Sequence, residues 1–307
     1  MTCALTVVMY HYVQPIDAGP VRGLNLLELS TFERQLAHIR RHYTVISADA
    51  VVRAVDGREP LPPRPLLLTF DDGYKGHHTY VLPLLHRWSL PAVFFPVAGA
   101  LLDRQLLDVN KIQALLAVTA DVESLAARID AVAGSAAYRA TWWKASDWDT
   151  APAAYVKRML QHALPPDVRS SLVETLFREN VSGDERAFAE QLYMTVDDVR
   201  ELLAAGMAVG AHADRHLRLT TLDRDGQGRE IDGALRVLET IGLPRRPFFY
   251  CYAHGDYDET SLSLLTERGC ALAFTTRREV ARVDEGRRLE VPRLDTNDLA
   301  VDVDAEL

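Results

Sequence analysis

PLLLTFDDGY, residues 65–74, ends an apolar run with two adjacent aspartates and a glycine. A continuous apolar run of this length is typical of a strand that is buried on both faces, as in a parallel sheet covered by helices. The carboxyl ends of such strands carry the active site in α/β barrels, so the position of Asp71 and Asp72 predicts a functional role. The alternative interpretation is a plain Asp-Asp-Gly turn, and Gly73 is compatible with both.

Apolar strands alternate with helices along most of the chain. Three predicted helices end at Gly206, Gly242 and Gly269, and an apolar strand follows each of these glycines. Glycine is common directly after a helix because it adopts the left-handed conformation without strain. Strands that alternate with helices indicate a parallel sheet. With about seven such strands, the pattern favours an α/β fold of the (β/α) barrel kind, regular or distorted, over an open sheet.

One stretch, residues 103–193, interrupts this alternation. It is rich in alanine and leucine and contains helical patterns but no good strand. We therefore predict a helical insertion that projects from a barrel formed by residues 1–102 and 194–307. Such an insertion could serve as a lid, as a wall for the substrate, or as the contact of a homo-oligomer.

Composition and charge exclude some classes of protein. The formal net charge is -9 and the pI is about 5.6, without a basic patch, which argues against a nucleic-acid partner. Three cysteines are too few and too scattered for a disulfide framework, and they fit a reducing compartment. The first apolar run is interpreted as a strand rather than a signal peptide. No run reaches the roughly 20 residues of a transmembrane helix. We expect a cytoplasmic protein.

A second group of polar residues, HADRH at 212–216, also follows an apolar strand. Two histidines four residues apart can face the same side of a helical turn. Together with one carboxylate of the Asp pair, they would form a three-ligand site with an open position, as in catalytic zinc sites. The other carboxylate could then act as a general base. With ten histidines in the chain, an incidental pair is the alternative interpretation.

These motifs resemble those of the polysaccharide deacetylase (NodB-homology) family, and they follow the same order along the chain. The resemblance spans about residues 4–296, with the helical insertion outside the common core. The segments that carry it are MYHY (9–12), TFDDG (69–73), HADRH (212–216), YCYAHGDY (250–257) and PRLD (292–295). The third motif of the family often reads Tyr-Pro-Tyr-Gly, and the first and last segments are similar to features of a subfamily.

The resemblance implies a distorted (β/α) barrel and metal-assisted removal of an acyl group from an amide nitrogen. Carried over by position, Asp71 would be the general base. Asp72, His212 and His216 would hold a divalent metal, with zinc favoured and cobalt or nickel as alternatives. Arg293 would pair with Asp71 and keep it ionised.

Further site residues follow from the same resemblance. A backbone amide near Tyr252 would help to stabilise the oxyanion. The sequence lacks the Leu-x-His motif near the C-terminus where the family usually keeps its general acid, so His254 or His11 is expected to donate the proton. Ala213 stands where the family usually has Ser or Thr. Contacts with the substrate are expected at Tyr74, Tyr252, Gly255 and Asp295.

The predicted function is an intracellular N-deacetylase that acts on an N-acylated amino sugar, either a sugar nucleotide or a glycan intermediate. One alternative is another amide hydrolase on the same scaffold, such as a deformylase or a cyclic-amide hydrolase. A second alternative is a sugar-binding relative without catalytic activity. The missing Leu-x-His motif keeps that relative open as an alternative, whereas the complete set of two aspartates and two histidines argues for an enzyme.

Overall fold

The structure is a computed structural model that describes residues 3–134, 137–146, 149–283 and 287–299. The chain divides into two compact units. The first comprises Met1–Pro15, Leu26–Arg104 and Leu192–Leu307, and the second comprises Ile16–Asn25 and Gln105–Gln191.

Every strand among the described residues lies in the first unit. In chain order they are β1 (Cys3–Tyr10), β2 (Val13–Gln14), β3 (Leu27–Glu28), β4 (Thr44–Val45), β5 (Pro65–Asp72), β6 (Ala92–Pro96), β7 (Ala208–Val209), β8 (Phe248–Cys251), β9 (Cys270–Phe274), β10 (Ala281–Val283) and β11 (Leu294–Asp295). Parallel pairing joins β1 to β5, β5 to β6, and β6 to β7. A parallel bridge between Ala211 and Tyr250 leads to β8, which pairs with β9. A second bridge, between Phe274 and Val291, leads to β11, which pairs with β1 and completes a distorted (β/α) barrel. The predicted fold class is confirmed.

Helices connect these strands. They are α1 (Leu29–His42), α2 (Ala48–Val55), α3 (Leu82–Arg87), α4 (Ala98–Leu102), α5 (Asp108–Val118), α6 (Val122–Ala133), α7 (Ala137–Trp142), α8 (Ala151–Arg158), α9 (Pro166–Asn180), α10 (Glu185–Leu192), α11 (Val196–Ala204), α12 (Arg224–Thr240) and α13 (Glu259–Arg268). Their boundaries follow local signals. A capping box between Thr195 and Asp198 opens α11, and Gly269, with φ of 80°, ends α13 in the left-handed conformation.

The side chains of β5 show how the barrel positions its polar residues. Successive side chains of a strand point to opposite faces. Leu66, Leu68 and Phe70 pack into the core that includes residues of α1, α3 and α12. Leu67 belongs instead to the inner cluster built mainly from the strands. Asp71 lies on the same face as Leu67, so its side chain points into the carboxyl end of the barrel.

The second unit has its own apolar core. Buried side chains from α5, α6, α8 and α9, among them Ile112, Ile129, Tyr155 and Leu176, form one cluster. All regular structure among the described residues of 105–191 is helical. Its projection from the barrel stays a prediction. Within the described part of the chain, no helix is long and apolar enough to cross a membrane.

Candidate active site

The carboxyl end of β5 separates the two adjacent aspartates. Asp71 keeps the extended strand conformation, whereas Asp72 has φ of 69°, which is uncommon for a residue other than glycine. Gly73 follows with φ of 74°, and a Cβ atom there would lie 2.8 Å from the Cβ of Pro96. Only glycine fits this turn, and the turn directs Asp72 away from Asp71.

Asp72 lies against both histidines of the HADRH segment. Its Oδ1 is 3.2 Å from Nε2 of His212 and 3.4 Å from Nε2 of His216. The two Nε2 atoms are 3.2 Å apart. The structure thus brings together the three residues that were predicted as metal ligands, and their ligand atoms all lie within 4.8 Å of one another.

Hydrogen bonds around this cluster fit a divalent cation. The Tyr74 hydroxyl donates to Asp72 Oδ2 at 2.7 Å, while Asp72 Oδ1 is buried without a hydrogen-bond partner among the described residues. His212 Nδ1 donates to the Cys251 carbonyl at 2.8 Å. In the neutral imidazole this leaves the lone pair on Nε2, the atom that faces Asp72. A carboxylate oxygen with no donor, beside two imidazole nitrogens, is a donor set that suits zinc, cobalt or nickel.

Asp71 is held by a buried arginine. Arg293 is fully buried, and its Nη1 and Nη2 donate to Oδ1 and Oδ2 of Asp71 at 2.9 and 2.8 Å. Burial alone would raise the pKa of Asp71, but the charge and hydrogen bonds of Arg293, together with the nearby His212 and His11, outweigh that effect, and the pKa is lowered to about 2. Asp71 is therefore an ionised carboxylate that can only accept protons at neutral pH. The predicted Asp71–Arg293 pair is present.

The two histidines predicted as general acids both lie at this end of the barrel, in different settings. The His11 side chain is 42% exposed, and its Nε2 is 3.9 Å from Oδ2 of Asp71. The His254 ring lies 4.5 Å from the ring of His216, and His254 has a left-handed φ of 58°. Burial lowers the pKa of His254 well below its ordinary value, and the neighbouring His216 adds to this effect. His254 is therefore neutral at pH 7, whereas His11 is open to solvent.

Two of the predicted substrate residues, Tyr74 and Gly255, have structural contacts. The Tyr74 ring is buried and stacks on Tyr12, with ring centroids 3.7 Å apart, while its hydroxyl holds Asp72. Gly255 has φ of 66°, and a Cβ atom there would lie 2.0 Å from Oγ1 of Thr276. Both residues are thus explained by contacts with other protein residues. A contact of either residue with substrate stays a prediction.

The other two predicted substrate residues, Tyr252 and Asp295, are also engaged elsewhere. The buried Tyr252 hydroxyl donates to the Leu289 carbonyl at 2.9 Å. The Tyr252 amide donates to the Phe274 carbonyl at 3.1 Å, so this particular N–H is not available to an oxyanion. The carboxylate of Asp295 accepts the amide of Asn297 at 2.9 Å and caps the short turn after β11.

Cys251 is a neighbour of the site that the sequence did not single out. Its Sγ lies 3.0 Å from Nη2 of Arg293 and 3.4 Å from Oδ2 of Asp71. Burial raises the pKa of this thiol, so Cys251 is a neutral group beside the ion pair. The signal was the Tyr-Cys-Tyr sequence at a position where the resembled family often has Tyr-Pro-Tyr.

Comparison with known proteins places the chain in a family. Residues 58–128 and 165–273, more than half of the chain, match the family model described as polysaccharide deacetylase. The chain belongs to the polysaccharide deacetylase family. Over 93 residues it is 39% identical to the poly-β-1,6-N-acetyl-D-glucosamine N-deacetylase of Escherichia coli (strain K12). That match covers 30% of this chain and 14% of the curated relative.

Solved structures with similar folds include three deacetylases. The Streptococcus pyogenes deacetylase PplD, in complex with acetate, has a TM-score of 0.60 at 16% identity, with coverage of 96% of this chain and 93% of that chain. IcaB from Ammonifex degensii gives 0.58 at 18% identity, covering 95% and 91%. A de-N-acetylase from Aggregatibacter actinomycetemcomitans gives 0.56 at 14% identity, covering 95% and 94%. At these identities the likeness establishes the shared fold.

Proposed function

We propose that this protein is a divalent-metal-dependent N-deacetylase that removes acetyl groups from N-acetylglucosamine units of a glycan. The observation that carries the proposal is the separation of two carboxylates at the end of one strand. Oδ1 of Asp72 has no hydrogen-bond partner among the described residues and faces the Nε2 atoms of both histidines. Asp71 stays ionised beside Arg293. The similarity to the E. coli poly-β-1,6-N-acetyl-D-glucosamine N-deacetylase supports the choice of substrate. A cytoplasmic location and a homo-oligomer stay predictions.

Each residue then has a role in hydrolysis. A zinc ion, or cobalt or nickel, held by Asp72, His212 and His216 would supply Lewis acidity to the acyl carbonyl and to the attacking water. Asp71 accepts the proton of that water, because its low pKa keeps it ionised. Arg293 holds both oxygens of Asp71 and so fixes the direction in which they accept.

The leaving amine needs a proton, and in this proposal His11 provides it. Its ring is partly exposed and lies on the Asp71 side of the site. His254, packed against His216 and kept neutral by burial, is less suited to carry a proton at pH 7.

We expect the purified chain to release acetate from oligomers of β-1,6-linked N-acetylglucosamine. Removal of metal with a chelator should abolish release, and zinc, cobalt or nickel should restore it, because the cluster otherwise lacks its Lewis acid. Acetate is measured enzymatically and product mass by mass spectrometry. The control is His216→Ala, which keeps Asp71 but loses one proposed ligand.

The same assay separates the alternatives. An N-acetylglucosamine nucleotide, offered in parallel, distinguishes a sugar-nucleotide substrate from a glycan. Formate released from N-formyl sugars, with no acetate from either substrate, would indicate a deformylase. Acetate release by protein shown to be metal-free by elemental analysis would refute the metal-dependent mechanism.

We expect His11→Ala to lower kcat by about 10²- to 10⁴-fold, the usual contribution of a general acid. His254→Ala should have a smaller effect, because the ring it removes is neutral and packed. Both variants are assayed with metal content measured, since His254 contacts His216. If His254→Ala loses turnover at full metal content while His11→Ala keeps it, the roles are exchanged. If both keep near-normal turnover, neither histidine is the acid.

A further inference from the structure

The turn that carries His212 and His216 has an unusual backbone. Ala213 has φ of 61° and His216 has φ of 60°, so two residues other than glycine adopt the left-handed conformation within four positions. This conformation is disfavoured for L-residues and persists only where surrounding contacts impose it. Contacts outside the turn must therefore fix the direction of the His216 ring.

Glu230 of α12 provides such a contact. Its carboxylate is buried, with the residue only 4% exposed. One oxygen, Oε1, accepts the amides of Arg215 at 2.8 Å and Leu217 at 3.1 Å. These are the residues directly before and after His216. A single carboxylate oxygen therefore accepts hydrogen bonds from the backbone on both sides of that residue. Hydrogen bonds from amides to a carboxylate are stronger than those between neutral groups.

Two further residues on the same face of α12, Gly233 and Arg236, also contact the turn. Residues three apart on a helix lie on one face. A Cβ atom at Gly233 would lie 2.4 Å from Cγ of Asp214, so the absence of a side chain there makes room for Asp214. Arg236 then donates to Oδ1 of Asp214 at 2.6 Å. Glu230, Gly233 and Arg236 thus touch the turn at successive points, and we call these three residues the α12 clasp.

We propose that Glu230 is a positioning residue that, with the rest of the α12 clasp, holds His216 so that its Nε2 faces Asp72. The inference deepens the proposed function, since it rests on the Asp72–His212–His216 cluster being a metal site. It concerns the metal-free protein as well, because the hydrogen bonds of Glu230 are to backbone amides and exist without the metal.

Two measurements on the metal-stripped protein test this role. The first is the zinc dissociation constant, obtained by competition with a chromophoric chelator. The second is amide hydrogen exchange of the peptide spanning residues 213–219. We expect Glu230→Ala to weaken zinc binding by about 10- to 100-fold, the usual effect of losing a group that orients a metal ligand, and to speed exchange in this peptide. Glu230→Gln keeps an acceptor oxygen and should restore most of both properties.

Asp232→Asn is the matched control on the same helix. Asp232 pairs with Arg268 of α13 through two contacts of 2.8 Å, and no hydrogen bond or ion pair joins its side chain to the turn among the described residues. This variant should lower the melting temperature but leave the zinc dissociation constant and the exchange of residues 213–219 unchanged. An equal loss of zinc affinity in Asp232→Asn and Glu230→Ala would overturn the inference, because general destabilisation would then explain both.

Arg236→Ala keeps the test decisive if Glu230→Ala does not fold. Its side chain is 41% exposed, and its loss frees Asp214 without emptying a buried site. We expect weaker zinc binding and faster exchange of residues 213–219, both to a smaller extent than in Glu230→Ala. Wild-type values for both measurements would overturn the inference. If the unaltered chain binds no zinc, cobalt or nickel, the proposed function fails, whereas wild-type zinc affinity in Glu230→Ala refutes the positioning role alone.

Discussion

Asp71→Asn should keep its metal and lose about 10²- to 10⁴-fold in kcat, whereas Asp72→Asn should lose the metal itself. The two residues are adjacent in the chain but differ in surroundings. Asp71 faces Arg293 inside the barrel, and Nε2 of His11 lies 3.9 Å from its Oδ2. Asp72, turned by its left-handed φ, faces both histidines of the cluster. Metal content by elemental analysis and turnover are measured on both variants.

The environment of Asp72 explains why an amide cannot replace the carboxylate there. The Tyr74 hydroxyl donates to Oδ2, so in Asp72→Asn the amide oxygen of the introduced side chain would take that position. The NH₂ group would then point to Nε2 of His212 and occupy the place of the cation. Adding Tyr74→Phe removes this preference, lets the amide turn, and should recover part of the metal affinity. Loss of metal in Asp71→Asn with retention in Asp72→Asn would reverse the two roles.

Sequence patterns predicted those parts of the protein that are set by local chemistry. Buried parallel strands such as β5 are recognisable because both of their faces are apolar. The carboxyl ends of β5 and β7 were therefore identifiable, and with them the two aspartates and two histidines. The capping box at Thr195 was equally local, and it is present at the start of α11.

Other features depend on tertiary contacts that no local pattern encodes. Glu230 lies 14 residues after His216 on a helix where a glutamate is an ordinary surface residue, and only the packing of α12 brings it to the turn. The left-handed conformation of Asp72 could not be expected, because glycine usually adopts it. The segment Ile16–Asn25 precedes the insertion by some 80 residues and yet groups with the second unit.

Tyr74 and Tyr252 illustrate a related difference. Motif resemblance predicted that both residues lie near the substrate. Such a prediction rests on their positions along the chain and does not include the direction of their side chains. The structure turns both rings into the protein and pairs their hydroxyl groups with Asp72 and with the Leu289 carbonyl. A residue within an active-site motif can thus act by holding its neighbours, and side-chain direction at a strand end is decided by packing.

Arg293→Met should lower the free energy of unfolding at pH 7 by about 3–5 kcal/mol, because it leaves Asp71 as a buried charge without a partner. Methionine fills a similar volume, so the loss of unfolding free energy reflects the missing charge of Arg293 more than a cavity. Arg293 also donates to the Thr275 carbonyl and to the Thr69 hydroxyl, and these contacts add to the loss. The Asp71→Asn/Arg293→Met double variant should be less destabilised than Arg293→Met, since both charges are gone.

The pH dependence of the Arg293→Met penalty gives the sharper measurement. In the wild type, the pKa of Asp71 is lowered to about 2, so its stabilising contribution is present above the unfolded pKa of about 4 and is lost as pH falls through 2. Without Arg293, burial raises the pKa of Asp71, and protonation then favours the folded variant as pH falls. The stability gap between wild type and Arg293→Met, measured by urea unfolding, should therefore narrow from pH 7 to pH 5. The difference in unfolding free energy between wild type and the double variant should stay constant over the same range. If both differences depend on pH equally, Asp71 is not the group that Arg293 stabilises.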